Sequence, residues 1–285
     1  MDEEGQRAVV RYGIDQNAAG VACLLFAGEF YKFSDAERKR VAGIVVDEAN
    51  GKIPVLVGVS HSGTIPSVEL GKHAKDVGAD GVVVTPPYHS NFVTEARLSL
   101  PRHYTELAYH IDLPIMIQDY AVSGGVRLNA TEVDAICSSA PNIRYIKVEG
   151  VNQLRRIKAV VETTKGKVAV FGGMAGYYLL QEMRLGICGS IPGVEVVGPI
   201  VEAFVAQKSG DTVLARKRLG TIKPYLDFLI RHFDSFVAVE KEVMAWKGVI
   251  KSPTVREPAV PLGGSAHAEL TKLLFTMGLG GSQPQ

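Results

Sequence analysis

The chain has 285 residues, 46% apolar and 21% charged, with a formal net charge of +1. That supports one large core, about the size of a single barrel or of one to two ordinary domains. No block of like charge suggests a nucleic-acid footprint, and no run approaches the ~18 uninterrupted apolar residues of a membrane span.

Taken in chain order, a helical pattern over Arg7–Ala19 precedes a β-rich run near Val21 (VACLLFA) that ends in Ala27-Gly28-Glu29. Ser34 is an N-cap candidate with Glu37 three positions on, the spacing of a capping box. Further β-rich runs begin near Val55, Gly81, Ile115, Tyr145, Val168 and Gly189, spaced 21 to 34 residues apart like βα units. Between the second and third, Thr64–Val77 reads as a helix stopped by Gly78. Most of these runs are apolar at both alternating positions, which places them in a parallel sheet covered by helices. From Pro199 to about Ile250 only helical periodicity is present, and a last helix is expected around Ala268–Met277.

Seven βα units and a helical tail lie one strand short of a closed (β/α)₈ barrel. The expected organisation is an α/β TIM barrel over 1–198 with a C-terminal helical extension over 199–285 packed on it. Either the first strand lies upstream of residue 1, or the sheet is open and doubly wound.

In parallel α/β folds the chemistry sits at the C-terminal ends of the strands. The run Ile143-Arg144-Tyr145-Ile146-Lys147-Val148-Glu149-Gly150 puts Lys147 late in a buried strand, with Glu149 two residues on and so on the same face. Burial disfavours an ammonium and frees a neutral amine for attack on a carbonyl. A lysine paired with Glu149 for structure alone is the competing reading. Ala27-Gly28 leaves backbone N–H groups open to an anion, or simply makes a tight turn. Gln118 ends the run before Asp119-Tyr120 and can hydrogen-bond but not act as an acid or base. Pro86-Pro87 hold Tyr88 at another strand exit. The loops at Gly172-Gly173 and Ile191 carry no lysine or arginine, so a carboxylate or hydroxyl suits them better than phosphate.

The remaining motifs are mostly exclusions. The acidic N-terminus, Met1-Asp2-Glu3-Glu4, lacks a signal peptide's basic and apolar regions. Cys23, Cys137 and Cys188 have no CxxC spacing and read as reduced, buried thiols of a cytoplasmic protein. Seven histidines show no metal spacing; His103 and His110 share one helical stretch, and Arg155-Arg156 reads as a solvated face. There is no GxGxxG after a strand and no GxSxG elbow.

The landmarks together resemble the dihydrodipicolinate synthase/N-acetylneuraminate lyase family of Schiff-base barrels. They are Gly28-Glu29 with Phe33-Ser34-Asp35 and Glu37-Arg38, Gly78-Ala79-Asp80-Gly81 with Thr85-Pro86-Pro87-Tyr88, Leu113-Pro114-Ile115, Ile146-Lys147 with Gly150, and Gly189-Ser190-Ile191. The resemblance implies that Lys147 forms the imine, that Ala27-Gly28 binds a 2-oxo acid carboxylate, and that the Ile191 carbonyl lies near the imine. It also implies that the family's first strand lies upstream of residue 1, and that the protein is a dimer or tetramer with Tyr88 near an interface. No metal or cofactor is implied.

Three departures shape the expected activity. Phe26-Ala27 replace the family's usual Thr-Thr pair, Gln118 stands at the proton-relaying tyrosine, and Ser123 stands at the synthases' arginine. These argue against dihydrodipicolinate synthase activity. The chain is more similar to the branch resembling L-2-keto-3-deoxyarabonate dehydratase, which carries Gln at the tyrosine position, Lys-x-Glu-Gly (Lys147 to Gly150) and Ile-Pro-x-x-Glu (Ile191 to Glu195). The Ala27, Glu29 and Lys32 spacing fits that branch too. The expectation is a Schiff-base lyase acting on a small 2-oxo acid, dehydrating a 2-oxo-3-deoxy sugar acid, with Lys147, Glu149 and Gln118 catalytic and Ala27, Gly28, Glu29, Tyr88, Gly172, Gly173 and Ile191 binding substrate. The alternatives are a pyruvate-releasing aldolase or synthase-like enzyme, and a non-catalytic sugar-acid-binding barrel.

Overall fold

The computed structural model describes residues 1–87, 98–121 and 126–278. Seven strands form one parallel sheet: β1 (Val21–Cys23), β2 (Val55–Gly58), β3 (Gly81–Val84), β4 (Ile115–Ala121), β5 (Ile143–Gly150), β6 (Ala169–Gly172) and β7 (Gly189–Ser190). Each pairs with its sequence neighbours, so the spatial order is the chain order. A doubly wound sheet would reverse its order at a switch point. A singly wound order with helices on one face is barrel architecture. Among the described residues, β1 and β7 are the two ends of that order.

The helices are α1 (Glu3–Asp15), α2 (Asp35–Ala49), α3 (Thr64–Asp76), α4 (Leu100–His110), α5 (Ala130–Ser139), α6 (Gln153–Thr164), α7 (Leu179–Arg184), α8 (Val197–Lys208), α9 (Thr212–Arg231), α10 (Phe236–Trp246) and α11 (Gly264–Thr276). The Ser34–Glu37 capping box forms as its spacing predicts. Arg256 grips the same Glu37 carboxylate with two hydrogen bonds at 2.8 and 2.9 Å, tying the segment before α11 to the start of α2. Boundaries differ from expectation by a few residues: α1 stops at Asp15 and α11 begins at Gly264. Cys188 is exposed, not buried as its apolar surroundings suggest, because it falls at the short entry to β7.

Strand alternation divides the core. Val57, Val82, Ile117, Ile146 and Val170 point outward and pack in the main cluster with the surrounding helices. Leu25, Val83 and Met116 point inward, with Leu56, Tyr145 and Phe171 packed against them, and fill the barrel's interior. A second cluster joins Leu179 and Leu180 of α7 to α8, α9, α10 and α11, through residues such as Leu226, Phe228 and Leu270. Among the described residues no helix is long and apolar enough to cross a membrane.

The end of β1 bends sharply. Leu24 has φ +57° and its carbonyl turns against β2, where a Cβ on Gly58 would lie 2.0 Å from that oxygen. Gly58→Ala is therefore expected to destabilise the fold by roughly 1–3 kcal/mol, the usual range for overpacking. Gly43→Ala, on a helix position with nothing within 4 Å, should instead stabilise by up to about 1 kcal/mol. Urea denaturation of the two variants beside the parent checks the contrast.

Candidate active site

β4 and β5 run in register with Gln118 opposite Lys147 and Tyr120 opposite Glu149. Alternation turns all four toward the interior, above the apolar layer that includes Met116 and Tyr145. Lys147 and Glu149 are 7% and 5% exposed, and Gln118 is 1% exposed. Lys147 Nζ lies 2.9 Å from Glu149 Oε2. Gln118 Nε2 donates to Glu149 Oε1 at 2.7 Å, and the Met174 N–H donates to Oε2 at 3.3 Å. Three donors, from Lys147, Gln118 and the Met174 main chain, thus converge on the Glu149 carboxyl group.

The glycine pair ending β6 makes this placement possible. A Cβ on Gly173 would lie 2.2 Å from Glu149 Oε2, and one on Gly172 would lie 2.1 Å from Glu182 Oε2. Both positions serve neighbouring carboxyls through space they leave open. Glu182, on α7, accepts a hydrogen bond from Gln153 Nε2, while its other oxygen has no partner among the described residues. Burial pushes its carboxyl up from 4.5 to about 7, with Glu149 adding to the rise and Gln153 and Lys147 opposing it.

Arg156 does not lie on a solvated face. Its guanidinium reaches the strand ends, donating to the Glu149 carbonyl at 2.8 Å and pairing with the buried carboxylate of Asp119. Asp119 points away from the interior, as its odd position in β4 requires, and burial raises it to about 6 despite Arg156. The arginine thereby pins β4 and β5 together just behind the inward pair.

A cavity of about 710 Å³, counting the part open to solvent, sits over these groups. Ala27, Gly28 and Ile191 line it beside Lys147, Glu149, Gln118 and Tyr120. Phe26 packs on Tyr120 with ring centroids 4.4 Å apart. Met174 and Ala175, also lining residues, both hold positive φ (50° and 54°), as Leu24 does at the β1 end. Left-handed backbone at three non-glycine residues clustered at a cavity is the kind of strain that accompanies function.

The cavity does not gather every sequence-predicted residue. Glu29 is buried, with φ +53°, and its oxygens engage Lys32 at 2.6 Å and Lys241 at 3.1 Å. It clamps the β1 loop to α10 from beside the cavity. Tyr88 and Ser123 lie outside the described residues. Conversely, one wall comes from the C-terminal helices rather than from strand ends: Leu229, Ile230, Phe233, Phe236 and Glu240. The apolar spacing at Leu226, Leu229, Ile230 and Phe233 was legible as a helix face, but nothing local says what it covers. Among the described residues no group of three His, Cys, Asp or Glu could hold a metal ion.

With this geometry in hand, similarity to known proteins is informative. The profile of the dihydrodipicolinate synthetase family matches residues 1–276. YagE of Escherichia coli K12, whose name proposes a 2-dehydro-3-deoxy-D-gluconate aldolase, is 29% identical over 278 residues, covering 96% of this chain and 90% of the relative. A 4-hydroxy-tetrahydrodipicolinate synthase of Methanospirillum hungatei JF-1 is 32% identical over 221 residues, 76% of this chain and 73% of the relative. Among solved structures, the crystal structure of YagE in complex with pyruvate superposes with a TM-score of 0.89 at 27% identity, covering 98% of this chain and 93% of that one. Dihydrodipicolinate synthase from Aquifex aeolicus has a TM-score of 0.88 at 23% identity, over 98% and 93%, a likeness of fold.

The carboxyl of Glu182 gives a pH test of the network. Its folded value, about 7, lies above the ordinary 4.5. Stability linked to the neutral carboxyl is therefore fully present below about pH 4.5 and is lost as pH rises through about 7. Glu182→Gln removes this dependence. It should melt a few degrees above wild type at pH 8 and show no such gain at pH 5, checked by thermal unfolding at both values.

Proposed function

The chain belongs to the dihydrodipicolinate synthetase family, and on that premise we propose that Lys147 forms a Schiff base with the C2 ketone of a small 2-oxo acid. The chain is a lyase-type enzyme of this family. Its reaction, in this reading, is dehydration of a 2-oxo-3-deoxy sugar acid. The observation carrying the proposal is the Lys147–Glu149–Gln118 cluster: a buried amine 2.9 Å from a carboxylate that an amide also holds.

The Lys147 ammonium passes a proton to Glu149, and the neutral amine adds to the ketone. Loss of water leaves a protonated imine, whose positive charge acidifies C3. Glu149, freed of its first proton by the departing water, takes a proton from C3 and leaves an enamine. The enamine expels the C4 hydroxyl, and hydrolysis returns the lysine and an unsaturated 2-oxo acid. Ala27 and Gly28 offer backbone N–H groups to the carboxylate end, the Ile191 carbonyl lies beside the imine, and Gln118 holds Glu149 in line. A homodimer or homotetramer is the assembly this reading carries from the family resemblance.

A second reading, release of pyruvate by retro-aldol cleavage, is favoured by the aldolase name of YagE and by the phenol of Tyr120 in the cavity wall. Cleavage needs a base on the C4 hydroxyl proton. Gln118 cannot serve, and burial pushes the Tyr120 phenol far above its ordinary value, with the Glu149 charge adding to the rise. Its base form is correspondingly scarce at neutral pH.

Mass analysis of products from 2-oxo-3-deoxy pentonate and hexonate substrates separates the readings. Loss of one water supports dehydration, whereas pyruvate with an aldehyde supports cleavage and overturns it. Lys147→Ala should abolish turnover in either case. Glu149→Gln should lower kcat by about 10²–10⁴-fold, the range of acid–base catalysis.

A further inference from the structure

The cavity wall contributed by the C-terminal helices is apolar except for one group. Glu240 stands one helical turn after Phe236 on α10, so both present to the cavity from the same helix face. Among the described residues no hydrogen bond or ion pair engages its carboxyl, and it shares the cavity with Lys147 and Glu149. Among the described residues it is a carboxyl with no structural partner, and it lines the cavity where a substrate would sit.

Its surroundings favour the neutral carboxyl. Burial raises it well above the ordinary 4.5, the charge of Glu195 raises it further, Lys147 opposes the rise, and Glu149 adds to it. Glu195 lies on the turn before α8, where Tyr225 donates to its Oε1 at 3.1 Å and Lys247 Nζ reaches its main-chain carbonyl. Its Oε2 has no partner among the described residues, and a Cβ on Gly193 would lie 2.2 Å from it. The charge of a buried carboxyl opposes ionisation of a half-buried carboxyl near it. Among the described residues, the phenols of Tyr225 and Tyr120 also face Glu240.

We infer that Glu240 is the general acid that protonates the hydroxyl leaving C4, with Glu149 across the cavity as the base. The inference rests on the dehydration reading above and assigns the group that reading lacks. In the step, the enamine nitrogen pushes its electron pair through C2 and C3, a C3–C4 double bond forms, and the C4–O bond breaks. The departing oxygen takes the Glu240 proton and leaves as water. Glu240 becomes a carboxylate and is reprotonated from solvent, while Glu149 returns the C3 proton to solvent. Glu149 is engaged elsewhere, because its oxygens already meet Lys147, Gln118 and the Met174 N–H and it serves as the base at C3. Tyr120, with its phenol raised, is a weak donor. Retro-aldol cleavage has no leaving hydroxyl to protonate, so a protonated acid on this wall serves elimination specifically.

The test compares wild type, Glu240→Gln and Tyr120→Phe on a 2-oxo-3-deoxy pentonate and on its 4-fluoro-4-deoxy analogue. Fluoride leaves without a proton, so an acid catalyst matters for the first substrate and not for the second. Glu240→Gln should eliminate water about 10²-fold more slowly or worse, yet release fluoride within about threefold of wild type. It should also trap pyruvate as a reduced imine to the wild-type extent, which reports an intact fold and lysine. Water elimination at the wild-type rate, or equal loss on both substrates, overturns the assignment. So does a selective water defect in Tyr120→Phe alone. Wild type that releases pyruvate from the pentonate overturns the dehydration reading itself, an outcome visible without any variant.

Discussion

An ammonium and a carboxylate two residues apart on one buried strand are the constraint around which this protein is arranged. Taking two charges out of water costs several kcal/mol per ion, and their attraction offsets that only when the remaining bonding capacity is met. Gln118 and the Met174 N–H meet it at Glu149. Gly173 leaves the room that the carboxylate occupies. Arg156, from behind, fixes the Glu149 carbonyl and the neighbouring strand through Asp119. Each of these residues has a reason to be what it is once Lys147 and Glu149 are in place.

The chemistry is divided between two parts of the chain. In the proposed reaction the barrel strands supply the nucleophile, its carboxylate partner and the small residues that leave space for an anionic substrate end. The segment from α9 into α10 supplies an apolar wall and, in the same proposal, one acid. An apolar wall over a charged floor excludes water and strengthens each electrostatic interaction inside. The lashings between the parts, Glu29 to Lys241 and Glu37 to Arg256, fix the β1 loop and the C-terminal segment relative to each other. Backbone strain at Leu24, Met174 and Ala175, on the order of 1–3 kcal/mol per residue, is held by this enclosing structure.

Much of this was legible in the sequence because it is local. Period-two alternation puts Lys147 and Glu149 on one face, and apolar strands at both positions mean a covered parallel sheet. The capping box at Ser34 forms where its spacing predicts. What stayed hidden depends on contacts distant in sequence. Arg155-Arg156 looks like a surface pair because adjacent helix residues point about 100° apart, and only the fold brings Arg156 under the β4 and β5 ends. Glu29 sits in a motif that suggests substrate, yet its oxygens meet a lysine 212 residues away. Glu240 lies in a helix with no strand-end motif, and its place in the cavity follows only from how α10 packs.

The most direct test of the central claim is borohydride reduction in the presence of pyruvate or a 2-oxo-3-deoxy sugar acid, followed by peptide mapping. The account predicts one stable adduct per chain, on Lys147, and none on Lys147→Ala. No adduct on folded protein, or an adduct at another lysine such as Lys32 or Lys241, would contradict it.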